Sequence, residues 1–352
     1  MEATGIHWQP VHATLEGHFT VVVGNAHHMR NVPGRKTDVK DAEWIADLVR
    51  HGLVKPSLVP PPAIRELREL VRHRRTLAGM LAAERNRTLK LLEGVNVKLA
   101  TVMSDVFGVS GTAMLKALVE GTLAPAAMAD LAKRRLRGKI GALTRALDAR
   151  LSEHRRFRFL LRLHSRRLEE IGRDLAEVEA RLGEKMAPFA RQRALLTQIP
   201  GVEEPTAAGI IAEIGTDMSV FGSARRLAAW AGVCPANHES AGRRKRRGTR
   251  KGDVHLKTTL MTAAISAARA KGTYYRDKFC RLRARLGAKR AAMAIAHKIL
   301  VAAFHLLAGA AGFRELGADY LDRRHKHRIA RRLVQRLDAL GHEVMLRPRP
   351  AA

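Results

Sequence analysis

Apolar positions in the first sixty residues follow the pattern of a mixed α/β unit. Residues 2–15 have the pattern of a strand end that leads into a helix, and the apolar run at residues 19–23 (FTVVV) is typical of a short strand. Thr37 can then cap a helix over residues 38–51, and the spacing predicts that this helix buries one stripe, Ala42, Ile45, Leu48 and Val49. The prolines at positions 56 and 60–62 predict that the unit ends there in a linker.

The middle of the chain, residues 63–186, is charged and has helical periodicity throughout. Its second half carries an apolar seam at steps of three, four and seven, which is typical of a coiled coil and has His164 as its polar exception. The seam consists of Leu161, Leu168, Ile171, Leu175, Val178 and Leu182. Two long helices with such faces can form an antiparallel hairpin within one chain or dimerise with a second chain, and the pattern leaves both open.

Residues 190–310 form a third predicted unit, followed by a basic tail over 311–352. A helix, the turn Pro200-Gly201 and a second apolar stretch have the layout of a hairpin that offers backbone N–H groups to a DNA phosphate. Glu203 replaces the usual second glycine of that turn, so a plain helical turn is the alternative. Further along, the pattern predicts a very basic loop and three helices, at residues 223–231, 254–270 and 288–309.

Charge changes this picture most. The chain has 64 Lys and Arg against 33 Asp and Glu, a formal net charge of +31 and a pI near 11.4. Such a field attracts polyanions, so nucleic acid is the expected partner, with a ribosomal-type binder or an anionic membrane surface as alternatives. Aromatic residues make up only 4%, which favours contact with the phosphate backbone over stacking on unpaired bases.

Several classes of protein are disfavoured by the sequence. No run of about 18 uncharged apolar residues is present, so we expect no membrane span. The opening residues MEATGIHWQP lack the basic and apolar regions of a secretory signal, so we expect a cytoplasmic protein. Cys234 and Cys280 have neither metal-site spacing nor the count of a disulfide framework, and we interpret them as free thiols.

Three carboxylates are candidates for a metal site. Asp38 and Asp41 lie three residues apart at the start of a predicted helix, so both can point at one cation, and Glu2 can supply a third oxygen ligand. Mg²⁺ prefers a few carboxylates together with waters and substrate phosphate. Acids in a first helical turn also complement the helix dipole, so spacing alone does not distinguish a metal site from this structural role.

A serine beside a run of basic residues is the second candidate for chemistry. Ser240 lies in the segment HESAG, and seven of the nine residues that follow this segment are basic. They are Arg243, Arg244, Lys245, Arg246, Arg247, Arg250 and Lys251. A serine alkoxide that attacks phosphorus needs positive charge around the pentacoordinate phosphate, which arginine forks provide. The alternative is an ordinary loop serine beside a patch that binds phosphate.

Two long stretches together resemble a known family. MEATG, then NVPGRKTDVKDAEWIADLVRHGL with VPP and RELREL behind it, is similar to the DEDD transposases of bacterial insertion sequences, also called bridge-RNA-guided recombinases. The later run, from IPGV through AEIGTDMSVFGSARRLAAWAGVCPANHESAGRRKRRGTRKGDVHLKTTL, resembles their C-terminal transposase domain. The agreement covers most of the chain except the middle helices and the tail.

The resemblance implies a fold and a chemistry. The implied fold is mainly α, with a partial α/β (RNase H-like) N-terminal unit over 1–60, a long helical coiled-coil insertion over 63–186 and a helical C-terminal transposase domain over 190–310. By matching motif, Glu2, Asp38 and Asp41 are implied to hold Mg²⁺, and Ser240 is implied to attack a DNA phosphate and form a covalent phosphoserine. The resemblance further implies a homo-oligomer and a structured guide RNA that selects DNA by base pairing.

One feature of the family pattern has no match in the sequence. The family places a first aspartate on an opening strand well before its glutamate, and no residue precedes Met1. We therefore expect that the first strands are missing, through a late start codon or in a decayed copy, and that joining of DNA is poor. Two other functions stay open: a metal-dependent RNase H-like nuclease, which needs the acids but not Ser240, and a non-catalytic relic that only binds nucleic acid.

Overall fold

The computed structural model describes most of the chain. It covers residues 1–2, 5–24, 38–54, 56–148, 155–235, 239–240, 243–244, 248–309 and 312–347. Only the backbone is described for residues 38–41, 155, 239–240 and 243–244. The predicted cap at Thr37 lies outside these residues.

The protein is mainly α-helical, as predicted, and it divides into two compact units. The first unit comprises residues 1–65, 198–201 and 214–352, and the second comprises residues 66–197 and 202–213. The N-terminal helices are α1 (Trp8–Leu15), α2 (Asp38–Arg50) and α3 (Pro62–Gly94). The predicted helix over 38–51 is thus confirmed. Of its predicted stripe, Leu48 is buried and Ile45 half-buried, while Ala42 and Val49 are exposed.

The N-terminal segment forms a small set of backbone pairings in place of the predicted strand at residues 19–23. Gly24 bridges Glu2 in parallel and Pro56 in antiparallel orientation. The amide of Gly24 donates to the carbonyl of Met1 at 2.7 Å, and the amide of Ser57 donates to the carbonyl of Val23 at 2.7 Å. The predicted strand is wrong in extent, because the segments beside it pair only around single residues and a strand needs a longer ladder.

The described part of the second unit contains helices, turns and irregular segments and no strand. After α3, its helices are α4 (Leu99–Val102), α5 (Val109–Glu120), α6 (Pro125–Ala129), α7 (Ile140–Leu147), α8 (Arg155–Met186), α9 (Ala190–Leu196) and α10 (Glu204–Ile214). Two 3₁₀ turns, Arg134–Lys139 and Ala187–Phe189, complete it. One apolar core joins α5, α7 and the start of α8, and its fully buried members include Leu99, Met114, Leu143, Leu147 and Leu161.

Helices α3 and α8 run antiparallel to each other within the chain. Glu66 near the start of α3 pairs with Lys185 near the end of α8 at 2.7 Å, and Arg74 pairs with Glu179 at 2.6 Å. Towards the other end, buried Glu84 pairs with His164. Of the two arrangements left open by the sequence, the chain therefore forms the internal hairpin. The seam residues of α8 beyond Leu161 are half-buried.

A buried carboxylate fixes the C-terminal end of α10 to α3. Glu213 is 1% exposed, and its carboxylate accepts two hydrogen bonds from Arg72, at 2.9 and 2.8 Å. Arg68 donates to the carbonyls of Ala212 at 3.1 Å and Glu213 at 2.6 Å. These forks also satisfy carbonyls that the helix end leaves without an intrahelical partner. Removing one member of such a buried pair costs about 3–5 kcal/mol.

The rest of the first unit is built around one apolar helix. Its elements are α11 (Ala224–Trp230), β1 (Glu239–Ser240), β2 (Arg243–Arg244), α12 (Val254–Ala267), α13 (Tyr274–Leu286), α14 (Ala288–Leu307), α15 (Tyr320–Arg324) and α16 (Lys326–Asp338). Helices α11, α12 and α13 all pack against α14. The predicted helices at 223–231, 254–270 and 288–309 are confirmed, whereas α13 and the two tail helices were not predicted.

Helix α14 has the length and composition of a membrane span. Among the described residues it is the one helix with this property, and half of its most apolar stretch is buried inside the protein. Its buried face includes Ala291, Ile295, Ile299 and Ala303, each 0% exposed. Its apolar residues therefore serve as the packing surface for the surrounding helices.

The predicted turn at Pro200-Gly201 exists between α9 and α10, and it lies directly against helix α12. Gly201 has φ +85°, and a Cβ atom there would lie 2.4 Å from the carbonyl oxygen of Ala263 and 2.5 Å from the amide nitrogen of Ala267. Only glycine combines this backbone conformation with so close an approach. The requirement for glycine thus has a structural cause, and contact of this turn with DNA stays a prediction.

We expect Gly201→Ala to destabilise the protein by about 2–4 kcal/mol, because it adds left-handed backbone strain to a clash with backbone atoms. The measurement is the urea midpoint followed by circular dichroism. Gly79→Ala in α3 is the matched control, since Gly79 is exposed with no atom near its Cβ position, and we expect it to stabilise by about 0.5–1 kcal/mol. Equal midpoints for the two variants would contradict the close approach at Gly201.

Candidate nucleic-acid interface and active site

Ser240 lies on a short β-hairpin. Strands β1 and β2 pair antiparallel, with Glu239 opposite Arg244 and Ser240 opposite Arg243. Two residues, 241 and 242, connect the strands, the commonest connection in hairpins, and the second of them is a glycine. The backbone thus places the candidate nucleophile at the last paired position, beside the first arginine of the basic run. The sequence predicted a loop in this segment.

The base of the hairpin is closed by two glycines whose backbones touch. A Cβ atom on Gly252 would lie 2.4 Å from the amide nitrogen of Gly232, and one on Gly232 would lie 2.7 Å from the carbonyl oxygen of Arg250. Gly232 also has φ +70°, which favours glycine. This contact holds the end of α11 against the start of α12, so the segment between them leaves and returns at one point.

Between the glycine contact and the strands, the two arms of the segment pair again. Pro235 and Thr249 form an antiparallel bridge, and the amide of Arg250 donates to the carbonyl of Cys234 at 3.3 Å. Lys257 of α12 donates from Nζ to the carbonyl of Arg250 at 3.1 Å. The described parts of residues 232–252 are therefore antiparallel from base to tip, and we call this segment the basic hairpin.

The described basic residues that were predicted to contact phosphate occupy two places on the basic hairpin. Arg243 and Arg244 form β2, while Arg250 and Lys251 lie exposed at the base of the returning arm. Lys245, Arg246 and Arg247 lie outside the described residues. Asp253 ends the segment and caps α12, accepting from the amide of Leu256 at 2.7 Å.

The predicted acidic residues lie in the N-terminal part of the first unit. Glu2 is half-buried, and its backbone is fixed by the bridge to Gly24. Asp38 and Asp41 lie in the first turn of α2, as predicted, but their side chains are outside the described part of the structure. Among the described residues, no group of three His, Cys, Asp or Glu is placed to hold a metal ion. The side chains of Asp38 and Asp41 are not among those residues, so the predicted cluster stays a prediction.

Glu16, another acid in the N-terminal part of the first unit, forms an ion pair with Arg65. Arg65 donates to the carboxylate of Glu16 and lies 3.3 Å from Nδ1 of His12. The hydrogen bond from Arg65 is the main cause that lowers the pKa of Glu16, which stays ionised and paired. The carboxylate of Glu16 therefore stabilises the contact between the end of α1 and the start of α3.

A cluster of aromatic residues was not predicted from the sequence. All three tyrosines of the chain, Tyr274, Tyr275 and Tyr320, line one cavity in the C-terminal part of the first unit. The only signal in the sequence is the doublet YY at positions 274–275, since the third tyrosine lies 45 residues further on.

Comparison with known proteins identifies the family. Residues 1–97 match the family model DEDD_Tnp_IS110, described as a transposase, and residues 193–279 match the model described as the transposase IS116/IS110/IS902 family. The first match contains Glu2, Asp38 and Asp41, and the second contains the whole basic hairpin with Ser240. No curated protein matches the chain. The two matches agree in kind and together cover just over half of the chain, which belongs to the IS110 family of DEDD transposases.

Proposed function

We propose that this insertion-sequence transposase cuts and rejoins DNA through a covalent phosphoserine at Ser240. The observation that carries the proposal is the position of Ser240 at the tip of the basic hairpin, directly opposite Arg243 in the strand register. The contact between Gly232 and Gly252 fixes the base of this hairpin on two helices. A nucleophile on a braced element reaches a reacting phosphate with less loss of orientation than one on a free loop.

The proposed reaction balances without an outside reagent. The Ser240 oxygen loses its proton and bonds to phosphorus, while the bond from phosphorus to one deoxyribose oxygen breaks and that oxygen takes up a proton. In the second step, a deoxyribose hydroxyl of the other DNA partner attacks the phosphoserine, which forms a new phosphodiester bond and restores the serine. Arginines in the basic run stabilise the charge on the pentacoordinate phosphorus in both steps.

The three acids Glu2, Asp38 and Asp41 fit a magnesium ion by their chemistry. All three offer hard carboxylate oxygens, the ligands that Mg²⁺ prefers, and the backbone of Glu2 is fixed by pairing. Bound there, the ion would neutralise charge on the reacting phosphate. Glu2, Asp38 and Asp41 would hold the ion and orient the DNA phosphate toward it.

We further propose the domain roles that the family implies. Residues 1–60 would act as a partial RNase H-like domain, residues 63–186 as a coiled-coil insertion and residues 190–310 as the transposase domain, with a basic tail over 311–352. A structured guide RNA would select the DNA partners, and the protein would act as a homo-oligomer. The net charge of +31 supports binding of two nucleic acids at once, since it far exceeds what solubility requires.

We expect Ser240→Ala to abolish the covalent protein–DNA adduct and to lower strand joining by at least about 1,000-fold, because the nucleophile is lost. The adduct is measured on denaturing gels with labelled donor and target DNA, guide RNA and Mg²⁺. Ser219→Ala, an exposed serine within the same family match, is the control and should retain the adduct. Strand cutting that survives in Ser240→Ala would instead favour a metal-dependent nuclease.

We expect Asp38→Asn combined with Asp41→Asn to reduce Mg²⁺-dependent cutting on the order of a hundredfold or more while DNA binding is retained, because metal ligands are removed. Asp47→Asn in the same helix α2 is the matched control, since Asp47 is exposed near its other end. Cutting rates across a Mg²⁺ titration measure the effect. If the double variant and the wild type depend equally on Mg²⁺, these aspartates do not bind the metal.

Neutralising Arg243, Arg244, Arg246 and Arg247 to Gln should weaken DNA binding and flatten its dependence on salt. Each lost phosphate contact lowers the slope of log affinity against log salt by about 0.9, because fewer counterions are released. Binding isotherms at several salt concentrations give the slope. Lys at the same four positions keeps the charge and should keep the slope, and an unchanged slope in the Gln variant would place the hairpin away from DNA.

A further inference from the structure

A cavity of about 340 Å³ lies between α13, α14 and the segment from Phe313 to Arg324, all within the first unit. Its volume is at the small end of the range for ligand pockets. Exposed side chains of Arg314 and Arg324 line it, so it meets the surface. We call it the tyrosine cavity.

The aromatic residues of this cavity form two groups, a half-buried pair that a ligand can reach and a buried pair beneath it. The rings of Tyr274 and Tyr320 meet edge to face, 5.6 Å apart at 82°, and both residues are half-buried. Tyr275 is 4% exposed and packs on Phe313 with ring centroids 6.1 Å apart. Burial raises the pKa of the Tyr275 hydroxyl, so this residue stays protonated and serves as the floor. Tyr274 and Tyr320 are left to meet a ligand.

The charge at the tyrosine cavity is positive. Its lining contains Lys298, Arg314 and Arg324, and Nζ of Lys298 lies 5.8 Å from the ring centre of Tyr274. Burial, followed by the nearby charge of Lys298, lowers the pKa of His297, which is therefore neutral at pH 7. The single carboxylate in the lining, Glu315, accepts hydrogen bonds from backbone amides. A ligand with a planar ring and a negative charge suits this lining.

Several hydrogen bonds hold the walls of the tyrosine cavity in place. Oε1 of Glu315 accepts from the amide of Tyr274 at 2.7 Å and from the amide of Gly317 at 3.1 Å. Phe313 donates from its amide to Oε1 of Gln198 at 2.9 Å. Helix α15 is tied to α13 because Arg281 donates to Asp322 at 2.7 Å. A preformed cavity loses little entropy on binding, so this bracing favours a ligand site.

We propose that the tyrosine cavity binds one unstacked nucleotide of a nucleic-acid strand, with its base against Tyr274 and Tyr320 and its phosphate near Lys298 and the two arginines. Every base has a π-face that stacks on tyrosine, and cations near the ring strengthen such contacts. The cavity has room for one nucleotide and not for a duplex. A nucleotide can enter only from an unpaired strand or after it leaves the base stack.

This inference does not rest on the serine chemistry proposed above. It needs only that the protein binds nucleic acid, which follows from its family. The basic hairpin is suited to phosphates, which every sequence and strand type presents alike. The tyrosine cavity would add a preference for nucleic acid with an unpaired position. Such a preference is useful to an enzyme that works on opened or distorted strands.

The test compares a fully paired duplex with the same duplex carrying one bulged 2-aminopurine nucleotide. Wild-type protein should bind the bulged DNA about 10- to 100-fold more tightly, with quenched fluorescence from stacking. Tyr320→Ala should lose this preference, and Tyr274→Phe should keep it, because phenylalanine retains the ring. Ala302→Phe should also lose it, since the added ring fills the cavity while all three tyrosines stay in place.

The remaining outcomes are equally decisive. Retention of the preference by both Tyr320→Ala and Ala302→Phe would overturn the proposal, as would a parallel loss of affinity for paired and bulged duplexes. Bulged RNA duplex and free nucleoside monophosphate as competitors identify the source of the nucleotide, and competition by the free monophosphate alone would overturn binding within a strand. Ser240→Ala should keep the full preference, so failure of the serine mechanism and failure of this inference give different results.

Discussion

Close packing around helix α14 is the interaction on which the C-terminal half of the protein depends. Four alanines, Ala291, Ala292, Ala296 and Ala303, are buried on this helix. Small side chains let neighbouring helices approach closely, and α11, α12 and α13 all pack there. Because protein interiors tolerate few voids and little overlap, the positions of these three helices follow from the shape of α14.

Both candidate sites of this unit rest on that packing. The basic hairpin leaves from the end of α11 and returns at the start of α12, and its base is closed by the contact of Gly232 with Gly252. The tyrosine cavity lies between α13 and α14 themselves. A single packed scaffold thus fixes one site that suits phosphate chemistry and another that suits a base. Sites on packed elements are held more precisely than sites on free loops.

Because basic residues outnumber acids, the buried acids of the second unit are paired with cationic side chains. Within the second unit, Glu213 is held by arginines and Glu84 by His164 and Arg87. Burial alone would raise the pKa of Glu84, but the hydrogen bonds from His164 and Arg87 bring it below its ordinary value. Glu315 is similarly taken up by backbone amides in the first unit. These acids are used to stabilise the fold. Because the chain has 64 Lys and Arg against 33 Asp and Glu, much of its positive charge stays available to a polyanion.

The sequence by itself determined the helices with strong periodicity, the family and the candidate residues Ser240, Asp38 and Asp41. Periodicity is local, and a family pattern depends only on order and spacing, so both are readable without a fold. Helix α13 was not predicted, although its sequence, YYRDKFCRLRARL, has apolar residues at helical spacing, because six of its 13 residues are charged. Its place in the fold is set by packing on α14. Only the tertiary structure determined the pairing of α3 with α8 within the chain, the hairpin that carries Ser240 and the position of all three tyrosines at one cavity. The helix pairing and the tyrosine cluster join residues far apart in the chain, and their contact depends on packing that no local pattern encodes. The hairpin is local, but its base at Gly232 and Gly252 is closed only because α11 and α12 pack side by side on α14.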